Sequence, residues 1–96
     1  MIRNQILSLL KSHKRDLAIY DVKNLFLFGS VARDDETSQS DVDVLVTFQG
    51  PPTFDHYMDL KFYLEELFQR KVDLVTESGL RPEVKKFVEK DLIRAA

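Results

Sequence analysis

Two stretches decide how this chain folds: Leu25-Phe26-Leu27-Phe28-Gly29-Ser30-Val31-Ala32-Arg33, and Asp41-Val42-Asp43-Val44-Leu45-Val46-Thr47-Phe48. Residues 22–28 read as a strand. Its end, residues 25–28, is continuously apolar, as expected of a strand covered on both faces. Gly29-Ser30 follows at once, and Ser30 can open a short helix through about Asp34. Residues 41–48 are rich in β-branched side chains and read as a second strand, which Gly50-Pro51-Pro52 ends. Residues 34–40, between the two, are wholly polar and read as a surface loop.

Outward from this centre the periodicity changes. Ile2, Ile6, Leu9, Leu10, His13 and Leu17 share one face of a helix predicted over residues 2–17, with Leu7 off that face. A second long helix is predicted from about Thr53 to Gln69. Phe54, Tyr57, Leu60, Leu64, Leu67 and Phe68 form its core stripe, and Met58 and Phe62 lie well round from it. Residues 71–76 read as a third short strand. Gly79 marks a turn, and Pro82 suits the first turn of a last helix with Leu80, Val84, Phe87, Val88 and Leu92 apolar. The expected fold is α+β (or α/β), a short mixed sheet of three or more strands packed against about four helices.

A chain of 96 residues accommodates one domain over residues 1–96. The net charge of −2 is too small to draw nucleic acid by bulk electrostatics. With no cysteine, a disulfide or thiolate metal site is excluded. The start, Met1-Ile2-Arg3-Asn4-Gln5, lacks the pattern of a signal peptide, and no apolar run approaches a membrane span. A cytoplasmic protein with no membrane contact and no direct nucleic-acid contact is expected.

Three features carry chemistry. Gly29-Ser30 sits at a strand-to-helix turn, where glycine lets a phosphate approach the backbone and helix-start amides suit an anion; the same residues also fit an ordinary turn with a serine cap. Asp41 and Asp43 alternate with Val42, so their carboxylates share one side of the strand, roughly 6.5–7 Å apart along it. They read either as a solvent-facing strand edge or as oxygen ligands converging on hard cations. Asp73, isolated between Val72 and Leu74, would join them if its strand lies beside the second, with backbones about 4.8 Å apart. Three carboxylates that close are costly without metal.

Taken together, Phe28-Gly29-Ser30-Val31-Ala32-Arg33 and Ser40-Asp41-Val42-Asp43-Val44-Leu45-Val46 resemble the signature of the DNA polymerase β-like nucleotidyltransferase superfamily, and within it the MNT branch encoded beside HEPN proteins. The resemblance is strongest over residues 25–48 and extends to Asp73. It departs at Asp34, where many relatives carry glycine. It implies that Gly29 and Ser30 hold the outer phosphates of ATP, with Arg33 and Ser40 beside them. It implies that Asp41 and Asp43 bind two Mg2+ ions, and that Asp73 completes one metal site and activates the acceptor hydroxyl. Arg33 either neutralises phosphate or pairs with the acidic loop.

The resemblance also implies a reaction, AMP transfer from ATP to a tyrosine of a HEPN ribonuclease toxin, which makes the chain an antitoxin. Two other readings remain open: a non-catalytic module that blocks the HEPN partner by occlusion, and a small-molecule nucleotidyltransferase, which a chain without an obvious second domain supports less. His13, on an apolar face, and His56, isolated, read as structural and solvated residues. Arg81, Lys85 and Lys86 read as a solvated basic face, and Asp34-Asp35-Glu36 as a hydrated loop without calcium-loop spacing. Leu7, Met58 and Phe62, off their helix stripes, point to a protein interface.

Overall fold

The computed structural model describes residues 2–95, except for the side chains of Val84 and Phe87. The order is α1 (Ile2–Ser12), α2 (Lys14–Ile19), β1 (Val22–Phe28), α3 (Gly29–Arg33), β2 (Val42–Phe48), α4 (Phe54–Phe68), β3 (Val72–Thr76), a 3-10 turn (Glu77–Gly79), α5 (Pro82–Lys90) and β4 (Ile93–Arg94). The strands form one mixed sheet in the order β3-β2-β1-β4. β1 pairs antiparallel with β2 and β4, and β2 pairs parallel with β3. The α+β architecture read from the sequence is the one observed, enlarged by β4. Two residues long, β4 carries too little pattern to be read as a strand; its pairing with Phe26 and Leu27 makes it one.

Strand alternation sorts the sheet into two faces. Leu25, Leu27, Val42, Val44, Val46, Val72 and Leu74 form one face and are buried. Against them pack Ile6 and Leu10 of α1, Leu17 of α2, Val31 and Ala32 of α3, and Leu60, Leu64 and Phe68 of α4. The other face is covered over part of its area only: Leu45 is buried there with Val88 of α5, and Phe26, Leu80 and Leu92 line a small cavity of about 150 Å³ between them. Phe26 and Phe28 are therefore half-buried, and β1 is fully covered on one face alone. The uncovered remainder of that second face carries Asp43 and Asp73.

The first helical region differs from the single helix expected over residues 2–17. It breaks at His13, whose φ of −109° leaves the helical range. Ser12 Oγ donates to the Ser8 carbonyl and His13 Nδ1 contacts the Leu9 carbonyl at 2.8 Å. Side chains that bond the backbone one turn back compete with the helical ladder and bend it. Leu7, off the stripe, is partly buried and packs against the core.

α4 begins as its sequence requires, with Thr53 Oγ1 accepting from the His56 amide at 3.0 Å. It ends at Gln69 in the left-handed conformation. Phe54, expected in the core stripe, is 75% exposed; it is the first residue of α4, a turn and a half before the first buried position, Leu60. Phe62 is also exposed, as its position off the stripe requires. The side chains of Val84 and Phe87, expected on the apolar face of α5, lie outside the described residues, while Val88 is buried as expected.

Candidate active site

The parallel pairing of β2 with β3 aligns Asp43 directly with Asp73. Residues opposed in this way point to the same side, so both carboxylates rise from the half-open face. Asp41, one alternation earlier and just before β2, lies on that side too. It is exposed, Asp73 is exposed, and Asp43 is half-buried. Burial pushes the Asp43 carboxyl up to about 6, and the nearby Asp73 and Asp41 charges add to the rise while Arg33 opposes it. Asp43 thus lies within electrostatic reach of both other acids. Their side chains do not enclose a point: among the described residues no three acid or histidine groups close round a position that could hold a metal ion.

The Gly-Ser bend lies against this group. β1 also pairs with β2, placing Phe28 opposite Asp43, and the next residue begins α3. Gly29 adopts φ +70°, and a Cβ built on it would fall 2.1 Å from Asp43 Oδ2. Glycine is required here for its left-handed backbone and for the space that Asp43 occupies. Ser30 does not cap the helix as expected; the cap position is Phe28, without a side-chain hydrogen bond.

The loop before β2 is held by contacts that the sequence does not announce. Ser40 Oγ accepts from the Thr37 amide at 2.9 Å, so its hydroxyl serves the loop. Arg70 Nη1 donates to the carbonyls of Thr37 (3.2 Å) and Ser40 (3.3 Å), tying the approach to Asp41 to the start of β3. Arg3 Nη1 donates to the Ala32 carbonyl at 3.1 Å, pinning α3 to α1. Asp34 stands at the end of α3 with φ +67°, the left-handed conformation that glycine favours.

Arg33 pairs with the acidic loop and with Asp91. Nε donates to Asp35 Oδ2 at 3.1 Å and Nη1 to Asp91 Oδ2 at 2.8 Å. The Asp91 contact first, then Asp35, raises its already high pKa. Arg70 and Asp91 escape sequence reading because their contacts span 30, 33 and 58 positions, and an isolated Arg or Asp at a helix or strand end carries no periodic signal.

Acids of two adjacent strands thus stand beside a glycine bend on one mixed sheet. The chain belongs to the nucleotidyltransferase domain family, whose description matches residues 5–95, and it is an enzyme of that class. It is 43% identical over 94 residues to a Methanocaldococcus jannaschii chain provisionally named a protein adenylyltransferase, spanning 94% of each. It is 36% identical over 90 residues to protein adenylyltransferase MntA of Thermococcus cleftensis, spanning 93% of this chain and 91% of that one. A solved chain provisionally named a minimal nucleotidyltransferase superposes with a TM-score of 0.72 at 35% identity, over 95% of this chain and 86% of that chain. At 20% identity, a likeness of fold alone, the chain matches part of the complex of tri-AMPylated Shewanella oneidensis HEPN toxin with MNT antitoxin. There the TM-score is 0.63 over 99% of this chain and 69% of that chain.

Proposed function

We propose that this chain transfers AMP from ATP to a tyrosine hydroxyl of a HEPN-type ribonuclease toxin, and so acts as its antitoxin. The observation that carries the reading is the register of Asp43 with Asp73, with Gly29 packed against the Asp43 carboxylate. The names of the M. jannaschii and T. cleftensis relatives support protein adenylylation, and the tri-AMPylated toxin complex supports the HEPN partner. No helix among the described residues is long and apolar enough to cross a membrane.

Donors that are all carboxylate oxygens suit a hard divalent cation, and burial, with the Asp73 and Asp41 charges, raises the Asp43 pKa, a rise that a bound cation would oppose. Asp41 and Asp43 would hold two Mg2+ ions, with Asp73 completing one of the sites. When bound, the ions offset triphosphate charge and favour in-line displacement at the α-phosphorus. Gly29 and Ser30 would hold the outer phosphates, Ser30 through its hydroxyl donor. Arg33 supplies positive charge at the rim, and Ser40 shapes the loop that presents Asp41. The acceptor oxygen forms its bond to the α-phosphorus as the bond to the pyrophosphate oxygen breaks. Asp73 takes the acceptor proton and pyrophosphate leaves.

The test is incubation of the chain with its partner toxin, ATP and Mg2+, followed by intact-mass measurement of the toxin. A gain of one AMP or a multiple is expected with the native chain and none with D41N/D43N. The open arrangement of the three acids favours a second reading, inhibition by occlusion. If D41N/D43N still silences the toxin fully and no mass is gained in either case, occlusion replaces transfer.

A further inference from the structure

We propose that Asp91 is a positioning residue for nucleotide binding: it fixes Arg33 at the rim of the acidic site so that the unused face of the guanidinium meets the triphosphate. The inference rests on the reading of the site just given.

Arg33 ends the short helix that begins at Gly29, the residue packed against the Asp43 carboxylate. Two carboxylates hold it, each through a single oxygen: Asp35 at Nε and Asp91 at Nη1. A guanidinium carries more donors than these contacts use. Nη2 has no partner among the described residues, so one edge of the fork remains for a phosphate oxygen. An arginine already held in one rotamer loses less entropy when it meets a ligand than a free one.

The two anchors are unequal. The Asp91 side chain is 19% exposed and Asp35 is 57% exposed, and the Asp91 contact is the shorter, 2.8 Å against 3.1 Å. Asp91 is itself fixed by backbone: its amide closes α5 on the Val88 and Glu89 carbonyls. Two residues later the chain enters β4, where Ile93 pairs with Leu27 of β1, the strand that leads into Gly29. The anchor for Arg33 is therefore referenced to the same strand as the bend. An ion pair of this exposure contributes little to stability, so its removal should be felt in ligand binding.

The experiment titrates a fluorescent, non-hydrolysable ATP analogue with Mg2+ against the native chain, D91A, D91N, R33A and R33A/D91A, with thermal melts and transfer kinetics alongside. D91A is expected to weaken binding about three- to tenfold, with KM for ATP raised to match and kcat within about twofold. D91N keeps an oxygen acceptor for Nη1 and should bind close to the native chain. In the R33A background the D91A change should add nothing, because the effect passes through the arginine. Native affinity in D91A, or a loss that persists undiminished in R33A/D91A, overturns the proposal. If the native chain itself binds no nucleotide, the reading of the site fails first and this inference goes with it. Failure confined to the variants concerns Asp91 alone.

Discussion

Gly29 and Asp43 share a space with no room for one more carbon: a Cβ at residue 29 would stand 2.1 Å from Asp43 Oδ2 and 3.0 Å from its Cγ. The bend and the acid are thus parts of one device, and a change at either moves the other. G29A should place alanine at φ +70°, costing about 1–2 kcal/mol of stability, and should also push the Asp43 carboxylate aside. Displacement of a reacting group by about 1 Å can cost about a hundredfold in rate. A melt and a transfer assay on G29A should therefore show a modest loss of stability and a much larger loss of activity; unimpaired transfer would place the chemistry elsewhere.

Asp43 makes stability depend on pH in a direction unusual for a carboxylate. Its pKa is about 6 in the folded chain against an ordinary 3.8, so the folded state holds the proton more tightly. The resulting stabilisation is present below about 4 and lost as pH rises through about 6. Half-burial leaves it partly screened by solvent, so the effect should be small. With chelator present, D43N should melt above the native chain at pH 7.5, and the difference should shrink towards pH 4. Mg2+ at pH 7.5 should raise the melting point of the native chain and leave D43N nearly unmoved; equal responses would remove Asp43 from the metal site.

Asp34 occupies a left-handed position at the end of α3, its amide bonded to the Ser30 and Val31 carbonyls. Aspartate tolerates that backbone better than most residues, and glycine tolerates it best. D34G should raise stability by up to about 1 kcal/mol in denaturant melts, the gain limited by the greater freedom of the unfolded glycine chain. Transfer activity should be kept. A loss of stability would mean that the Asp34 carboxylate holds the loop.

On α4 the cost of substitution should follow burial and not residue size. Leu60 and Leu64 are fully buried, and truncating either to alanine should cost about 2–5 kcal/mol. Phe54 and Phe62 are exposed, and F54S or F62S should stay within about 0.5 kcal/mol of the native chain. Chemical denaturation of the four variants separates the cases; a large cost at Phe54 would return it to the core stripe where periodicity had put it.

Much of this molecule is legible in short stretches of sequence. The alternation of Asp41 and Asp43 with valines, the break at Gly29-Ser30, and the stripe of Leu60, Leu64 and Phe68 are local signals, because side-chain direction in a strand or helix follows from backbone geometry alone. They determined the class of fold and located the candidate acids. The same local logic misjudged residues 2–17 as one helix and Phe54 as core, since neither the competition of Ser12 and His13 for backbone carbonyls nor the point along α4 at which burial begins is written in periodicity. Only the tertiary structure decided that β3 pairs parallel with β2 in the register that opposes Asp73 to Asp43, that Gly29 abuts Asp43, and that Asp91 reaches Arg33 across 58 positions. Such pairings depend on how distant segments dock. Docking is set by burying the whole apolar face of the sheet at once, which no single stretch of chain encodes.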